Sequence, residues 1–206
     1  MHEELPLAGA SLSFDPHWLS LGQADELFET LHAGIGWEVH RIRLFGRLVD
    51  SPRLSSWIGD PGAGYVYSGV RFEPRAWTPE LAALRDRASA VAGERFNSVL
   101  VNLYRDGRDA MGWHSDDERE LGARPVIASI SLGAARRFVL KHRRQPERKL
   151  ALELPHGSLL LMSGETQANY RHALPRTSKP VGPRINLTFR RIQVGPAGSL
   201  AGLGGR

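Results

Sequence analysis

Two histidines and one aspartate have the types and the spacing of a metal site. His114 and Asp116 are two residues apart, and His172 follows in a separate β-type run. Alternate side chains of a strand point to the same face, so His114 and Asp116 can reach one ion that His172 approaches from a neighbouring strand. Two imidazoles and one carboxylate on one face of a ferrous ion leave three positions open, as in non-haem Fe(II) oxygenases. The pattern predicts an oxygen-activating iron centre, although zinc can bind the same ligands.

Polar and apolar residues alternate near the C-terminal end of the chain. In a β-strand, one face would then carry Arg184, Asn186, Thr188 and Arg190. The default interpretation is an amphipathic strand whose arginines lie in water. Buried arginines would instead need anionic partners, because an unpaired buried charge is very costly. Beside an iron centre, we expect that partner to be the dicarboxylate 2-oxoglutarate, with an amide and a phenol added by Asn102 and Tyr104.

Two helices are predicted ahead of a β-rich region. Ser20 caps the first, which extends to His32, and Thr78 and Pro79 begin the second, which Gly93 ends. Between them, residues 39–70 are predicted to form short strands and long loops. Seven further strands are predicted at 98–104, 126–132, 137–141, 150–154, 158–162, 171–174 and 185–192. So many short strands favour a β-sandwich or jelly roll.

The composition is that of a folded protein. Hydrophobic residues make up 41% and charged residues 24% of the 206 residues, which excludes a disordered chain. The chain has no cysteine, so disulfides, thiolate metal sites and cysteine nucleophiles are excluded. Neither a leader-like N-terminus nor an apolar stretch of membrane-spanning length is recognisable. We therefore expect a cytoplasmic or otherwise intracellular protein, nuclear in a eukaryote, with no membrane partner.

The charge distribution favours a polyanionic partner. Lysine and arginine outnumber the acids 27 to 22, which gives a net charge of +5. Seven of the 14 residues 136–149 are basic, a density suited to phosphate contacts. A solvated hairpin is the alternative interpretation of this segment.

Several ordered motifs resemble the AlkB family of Fe(II)/2-oxoglutarate-dependent dioxygenases. The resemblance runs from about Phe45 to Ile192, and three of its motifs are Asn102-Leu103-Tyr104-Arg105-Asp106-Gly107, Trp113-His114-Ser115-Asp116-Asp117-Glu118 and Pro183-Arg184-Ile185-Asn186-Leu187-Thr188-Phe189-Arg190. It implies a mainly β fold with flanking helices, namely a double-stranded β-helix or jelly roll. Within one domain, residues 1–95 would form the N-terminal helices and a nucleotide-recognition lid, residues 96–194 the catalytic core, and residues 195–206 a flexible tail.

The resemblance also implies the roles of the polar residues. The iron ligands, and thus the catalytic residues, would be His114, Asp116 and His172. The contacts to 2-oxoglutarate would be Asn102, Tyr104, Arg184, Asn186, Thr188 and Arg190. In the family, dioxygen and 2-oxoglutarate drive hydroxylation of an N-alkyl group on a nucleobase. Formaldehyde then leaves, the base is restored, and succinate is the co-product.

A third set of residues is implied as contacts to the substrate. Phe45, with Gly46 and Arg47, resembles the wedge that fills the gap left by a flipped base in duplex-acting relatives. The lid segment would contribute Tyr65, Tyr67 and Ser68, although ordinary strand packing also explains the tyrosines. The acids that would approach the base are Asp117 and Glu118, of which we favour Asp117. Either acid can instead bind an arginine or cap a turn.

The expected function is oxidative demethylation of N-alkylated bases in DNA, of the 1-methyladenine and 3-methylcytosine type. The chain mixes the signatures of duplex-acting and single-strand-acting relatives, so both forms of alkylated DNA are expected partners. The same chemistry on RNA or on a protein side chain is an alternative. A binding module with an inactive metal is an alternative of another class. No protein partner is inferred, and we expect a monomer.

Overall fold

A computed structural model describes residues 2–44, 47–67 and 70–193, with the backbone alone for 40–44, 47–48, 65–67 and 70–72. Its helices are α1 (Leu21–Gly34), α2 (Pro79–Ala92) and the single turn α3 (Thr166–Asn169). The Ser20 hydroxyl and the Gln23 side chain cap α1 reciprocally. Thr78 caps α2, and Gly93 ends it at φ 63°, a left-handed conformation that glycine adopts without a steric penalty. Both predicted long helices are present.

Fourteen strands are found among the described residues. They are β1 (Glu3–Glu4), β2 (Ser11–Asp15), β3 (Glu38–Leu44), β4 (Arg47–Gly59), β5 (Tyr65–Tyr67), β6 (Val70–Phe72), β7 (Ser98–Tyr104), β8 (Met111–His114), β9 (Ile127–Gly133), β10 (Arg136–His142), β11 (Lys149–Leu154), β12 (Ser158–Ser163), β13 (Tyr170–Leu174) and β14 (Arg184–Arg190). The large sheet has the order β1-β2-β12-β9-β14-β7-β4-β3, the small sheet has the order β11-β10-β13-β8, and β5 pairs with β6.

The two faces of the large sheet are buried by different partners. On one face, Val101 of β7 and Leu187 of β14 pack in one cluster with Leu31 of α1 and Leu84 of α2. On the other face, residues of β12 pack against Phe138 and Leu140 of the small sheet. Because each fully buried apolar side chain contributes about 1.5–3 kcal/mol, these two layers hold the sheets in place. Polar residues of β7 and β14 that alternate with the helix-facing ones are thereby directed between the sheets.

The prediction of a mainly β, jelly-roll fold is confirmed, and each of the seven predicted strands lies within two residues of an observed one. The prediction for residues 39–70 is wrong, because β4 continues for 13 residues and pairs with both β3 and β7. Pro52 interrupts the apolar alternation of β4. It lies where the register against β3 shifts, between the pairs formed by Asp50 and Leu54, so a proline is accommodated inside the strand.

The N-terminal region contributes strands to the main sheet. β2 pairs with β12, and β4 pairs with β7, so both lie in the same sheet as the strands of the C-terminal half. The boundary near residue 95 remains a prediction. None of the helices in the described part of the chain has the length and apolar character needed to cross a bilayer.

Candidate metal centre and anion pocket

The small sheet brings the two histidines together. His114 is the last residue of β8, and His172 of β13 lies directly opposite it in the antiparallel pair. Asp116 lies in the loop after β8 rather than on the strand, and the Ser115 hydroxyl anchors that loop by donating to the Tyr170 carbonyl at 2.7 Å. One potential ligand atom from each of the three candidate ligands lies within 4.8 Å of the others. They therefore form a cluster that a single ion can reach.

Neighbouring groups orient these ligands. The Gly112 carbonyl lies 2.8 Å from His114 Nδ1. Since a carbonyl only accepts, Nδ1 carries the proton and Nε2 is left for the metal, a common arrangement for histidine ligands. The Asp116 N–H donates to Gln167 Oε1 at 3.0 Å. Arg190 Nη2 donates to Asp116 Oδ1 at 2.7 Å, and both side chains of this ion pair are almost completely buried.

The electrostatic environment keeps all three ligands in the forms that bind metal. Burial lowers the pKa of His172 to about 3 and also lowers the pKa of His114. Burial alone would raise the pKa of Asp116, but Arg190 and the two histidines hold it at about 2. At neutral pH the site thus presents two neutral imidazoles and one carboxylate. No proton has to leave these groups when a metal binds.

One cavity between the sheets is lined by the three candidate metal ligands, called the metal cluster below, and by the six residues predicted to bind 2-oxoglutarate. Its polar walls are His114, Asp116, His172, Asn102, Tyr104, Ser129, Arg184, Asn186, Thr188 and Arg190. Its apolar walls are Met111, Phe138, Met162 and Leu174. Every residue of β14 is buried, so the alternative of a strand with solvated arginines is excluded.

Arg184 is a buried cation of this cavity whose donors are incompletely satisfied. Its guanidinium lies 5.3 Å from the centre of the Tyr104 ring, and Nη2 donates to Ser131 Oγ at 2.9 Å. Its Nε and Nη1 are buried and have no hydrogen-bond partner among the described residues. Burial lowers the pKa of Arg184 to about 10, so it stays charged at neutral pH. A buried cation with two open donors is suited to a carboxylate, which can accept two parallel hydrogen bonds.

The other residues predicted to bind 2-oxoglutarate differ in how many of their hydrogen bonds are already made within the protein. The Asn186 amide donates to Ser129 Oγ and to the Ile130 carbonyl, while Thr188 donates to Asn186 Oδ1. Arg190 forms an ion pair with Asp116 and also lines the cavity, so it orients one of the three candidate metal ligands. These four β14 side chains share one face, and Arg184 has buried donors with which it can hold an added anion.

Three buried residues of this region were missed by the sequence reasoning. Arg53 of β4 is buried, and its Nε donates to Asn102 Oδ1 at 2.9 Å. Gln167 of α3 holds the loop of Asp116, as described above. Arg136 was counted with the basic phosphate-binding run, but it is buried and donates to the carbonyls of Asp106, Asp109 and Pro175. No local pattern distinguishes these residues from exposed polar residues of other strands and turns.

The predicted substrate contacts are described only in part. Phe45, Gly46 and Ser68 lie outside the described residues. Arg47 lies at the start of β4, and Tyr65 and Tyr67 are the ends of β5, but their side chains are not described. Their roles remain predictions.

The two acids after the metal motif have different surroundings. Asp117 is exposed and forms an ion pair with Arg143, which is the alternative role considered for it. Glu118 is partly buried and precedes a 3₁₀ turn at Arg119–Leu121. The favoured substrate role of Asp117 therefore competes with an arginine that is already bound to it.

Comparisons with known proteins agree with this geometry. A family model described as the 2OG-Fe(II) oxygenase superfamily matches residues 11–190. The chain is 43% identical over 180 residues to the cattle (Bos taurus) protein named DNA oxidative demethylase ALKBH2, covering 82% of the chain and 65% of the relative. It is 37% identical over 193 residues to the human protein named alpha-ketoglutarate-dependent dioxygenase alkB homolog 3, covering 89% of the chain and 67% of the relative. The chain belongs to the AlkB family of 2OG-Fe(II) oxygenases.

A solved AlkB-family structure supports the fold. The structure of OsALKBH1 superimposes with a TM-score of 0.63 at 16% identity, over 93% of this chain and 100% of that one. The family cofactors, Fe(II) and 2-oxoglutarate, fit the residues present. The metal cluster has the donor set of a ferrous site, and the open donors of Arg184 fit a carboxylate. The predicted family and cofactors are thus confirmed.

Proposed function

We propose that this AlkB-family chain is a dioxygenase that removes methyl groups from N-alkylated bases in DNA. The observation that carries the proposal is the shared cavity, in which a His-Asp-His cluster lies beside the buried cation Arg184 with two open donors. A metal site alone would fit many functions. A metal site combined with a carboxylate-binding cation fits an oxygenase that consumes a keto acid.

The residues of the cavity have distinct tasks in this reaction. When bound, Fe(II) and 2-oxoglutarate supply the oxidation of an N-methyl group by dioxygen, with succinate and carbon dioxide as co-products. His114 and His172 hold the metal as neutral imidazoles, and Asp116 holds it as a carboxylate. Arg184 would bind a carboxylate of 2-oxoglutarate through its open donors and would thereby help to orient the cofactor. Phe138 and the other apolar walls exclude water from the reacting groups.

DNA is the substrate that the relatives favour, because several of them are named DNA oxidative demethylases. A methyl group on the Watson–Crick edge is hidden inside a duplex, so the nucleotide must be single-stranded or flipped out. Bases such as 1-methyladenine and 3-methylcytosine are cationic, and Asp117 and Glu118 place acidic side chains next to the metal motif. The protein would act in the compartment that holds DNA, which is the nucleus in a eukaryote.

A product assay tests the proposal. The full chain is incubated with Fe(II), 2-oxoglutarate and oligonucleotides that carry 1-methyladenine or 3-methylcytosine. Mass spectrometry should show loss of the methyl group, with one succinate formed per methyl removed. The variant His172→Ala should lose this activity, while His17→Ala, which changes an exposed histidine outside the cavity, should keep it. Turnover on methylated RNA but not on DNA would contradict the proposed substrate, and succinate formation without any demethylation would contradict a base substrate altogether.

A further inference from the structure

A row of basic residues crosses the outer face of the small sheet. Lys149 of β11 lies directly opposite Lys141 of β10, and Lys141 lies directly opposite Arg171 of β13. Directly opposed residues of an antiparallel pair share one face, so the three side chains stand side by side. Lys141 Nζ also lies over the ring of Trp113 of β8, 4.8 Å from its centre. We call these four residues the outer basic row.

This arrangement is unfavourable for the isolated protein. Like charges directly opposite each other across strands are destabilising. Within the described part of the chain, no acid forms an ion pair with Lys141, Lys149 or Arg171. Farther along the same strands, the complementary pair Arg137 and Glu153 occupies a directly opposed position. The sheet thus has a charge-matched end and an unmatched end, and the unmatched end is suited to an external polyanion.

Trp113 adds a second, independent signal. Its side chain is 47% exposed, although a tryptophan can bury more apolar surface than any other residue. Lys141 Nζ lies over its ring, and Arg171 lies on the same face of the adjacent strand β13. Exposed aromatic rings interleaved with cations are typical of surfaces that bind single-stranded nucleic acid, where bases stack on the rings and phosphates meet the charges. A duplex offers phosphates but keeps its base faces stacked.

The outer basic row lies on the reverse side of the metal site. Trp113 immediately precedes His114, and Arg171 immediately precedes His172, so each pair points to opposite faces of the sheet. β8 is one of the two edge strands of the small sheet, and β11 is the other. From β8 the row crosses four strands, or about 14 Å at the usual strand spacing. A nucleic-acid strand that leaves the cavity and turns around β8 would contact Trp113 first and the cations next.

We propose that the outer basic row is a track for single-stranded DNA that flanks the base held in the cavity. This rests on the proposed function for the identity of the nucleic acid. Trp113 stacks on an unpaired base beside the damaged one, and Lys141, Arg171 and Lys149 neutralise the phosphates that follow. The track favours single-stranded over duplex substrates, because the Trp113 ring needs a base whose face is free.

Binding measurements on the full chain test the track. Fluorescence anisotropy is recorded over a series of salt concentrations with a labelled single strand of about 12 nucleotides and with its duplex. Trp113→Ala should weaken single-strand binding about tenfold, while Trp113→Phe should keep most of the affinity because a ring remains. The double variant Lys141→Gln/Arg171→Gln should lower the slope of log affinity against log salt by about 1.4, since each lost single-strand phosphate contact accounts for about 0.7.

A matched control removes two positive charges from another part of the surface. Arg87 and Arg95 are exposed, on and just after α2, which packs on the helix-covered face of the large sheet. Arg87→Gln/Arg95→Gln should leave both affinity and salt slope at the wild-type values. Equal losses for this control and for the track variants would overturn the track. So would equal losses on single strand and duplex, or wild-type binding by Trp113→Ala.

The failure of the track can be told from the failure of the proposed function. If the wild type binds single strands through the outer basic row but demethylates none of them, the track stands and the proposed function fails. If all variants bind and demethylate like the control, the proposed function stands and the track fails. Tighter, row-dependent binding of single-stranded RNA of the same sequence would overturn the assignment to DNA. Trp113→Phe and the double variant keep the test valid if Trp113→Ala does not fold.

Discussion

The two faces of the small sheet place cations and aromatic groups in opposite settings. On the inner face, His172 and its partner His114 line a cavity between the sheets that is also lined by the buried Arg184. On the outer face, Arg171 and Lys141 lie in or near solvent beside an exposed ring. A cation on the inner face interacts strongly with any anion that enters, because water does not screen it. A single cation on the outer face interacts weakly with an anion, so several are needed together, and this interaction weakens as the salt concentration rises.

This difference shows that one strand can serve two kinds of recognition. The inner face selects a small diacid and a metal through a few buried, oriented groups. The outer face is suited to a long polyanion through several exposed charges. The largest effects of substitution are therefore expected on the inner face and the smallest on the outer face.

The largest effect is expected for Asp116→Ala. The substitution removes a metal ligand and also leaves Arg190 without its buried carboxylate, a loss that typically costs about 3–5 kcal/mol of stability. Demethylation should be abolished, metal binding followed by calorimetry should be lost, and the midpoint of urea unfolding should fall. Asp86→Ala, at an exposed position on α2, should change none of these. Full turnover by Asp116→Ala would mean that the metal cluster is assigned wrongly.

Arg184→Met tests separately how the buried charge affects stability and how it affects the binding of 2-oxoglutarate. The variant should raise the KM for 2-oxoglutarate by roughly 10- to 100-fold, because hydrogen bonds to charged groups contribute about 1.5–3 kcal/mol each. The thermal stabilisation that 2-oxoglutarate gives the metal-loaded wild type should disappear.

Without ligand, the same variant should be at least as stable as the wild type, since an apolar side chain of similar size removes an incompletely paired buried charge. Differential scanning calorimetry with and without 2-oxoglutarate measures both effects. A strongly destabilised ligand-free variant would show that the Arg184 charge is already compensated within the protein and that Arg184 is not an open anion site.

Gln167→Ala should have an intermediate effect. The Gln167 side chain accepts from the Asp116 N–H, so its removal loosens the loop that presents the carboxylate. Loss of such an outer partner usually lowers metal affinity or activity by about 10- to 100-fold. Titration with Fe(II) under anaerobic conditions should show weaker metal binding, while Gln145→Ala in the exposed hairpin should bind metal like the wild type. Rescue of Gln167→Ala turnover by added Fe(II) would distinguish a positioning role from misfolding.

The smallest effect is expected for Lys141→Gln on the outer face. Because it removes one of three adjacent like charges, the variant should match or slightly exceed the wild type in stability, by at most about 1 kcal/mol. The difference should shrink at high salt, where exposed charges are screened. Urea unfolding at low and high salt measures it. A clear loss of stability would mean that the contact of Lys141 with the Trp113 ring outweighs the repulsion between the cations, and the contrast between the two faces would be weaker than proposed.

Local features of the sequence were sufficient to predict most of the elements. The Ser20 and Thr78 caps, the left-handed Gly93 and the alternation along 184–190 depend on neighbours within a few residues, so they are readable without a structure. The motif spacings also identified the family and predicted the three metal ligands, since those residue types in that order have few other uses. β4 was missed because Pro52 and several serines hide its alternation.

What the tertiary structure decided is the burial and pairing of the charges. The ion pair of Asp116 and Arg190 joins residues 74 positions apart, and the ion pair of Asp117 and Arg143 joins residues 26 apart. No local pattern encodes such contacts, since burial depends on which sheets and helices pack together. For the same reason, the sequence alone placed Arg136 with the exposed cations and gave no sign of Arg53. Residue types and spacing determined which chemistry is possible, and packing decided which cation meets which anion.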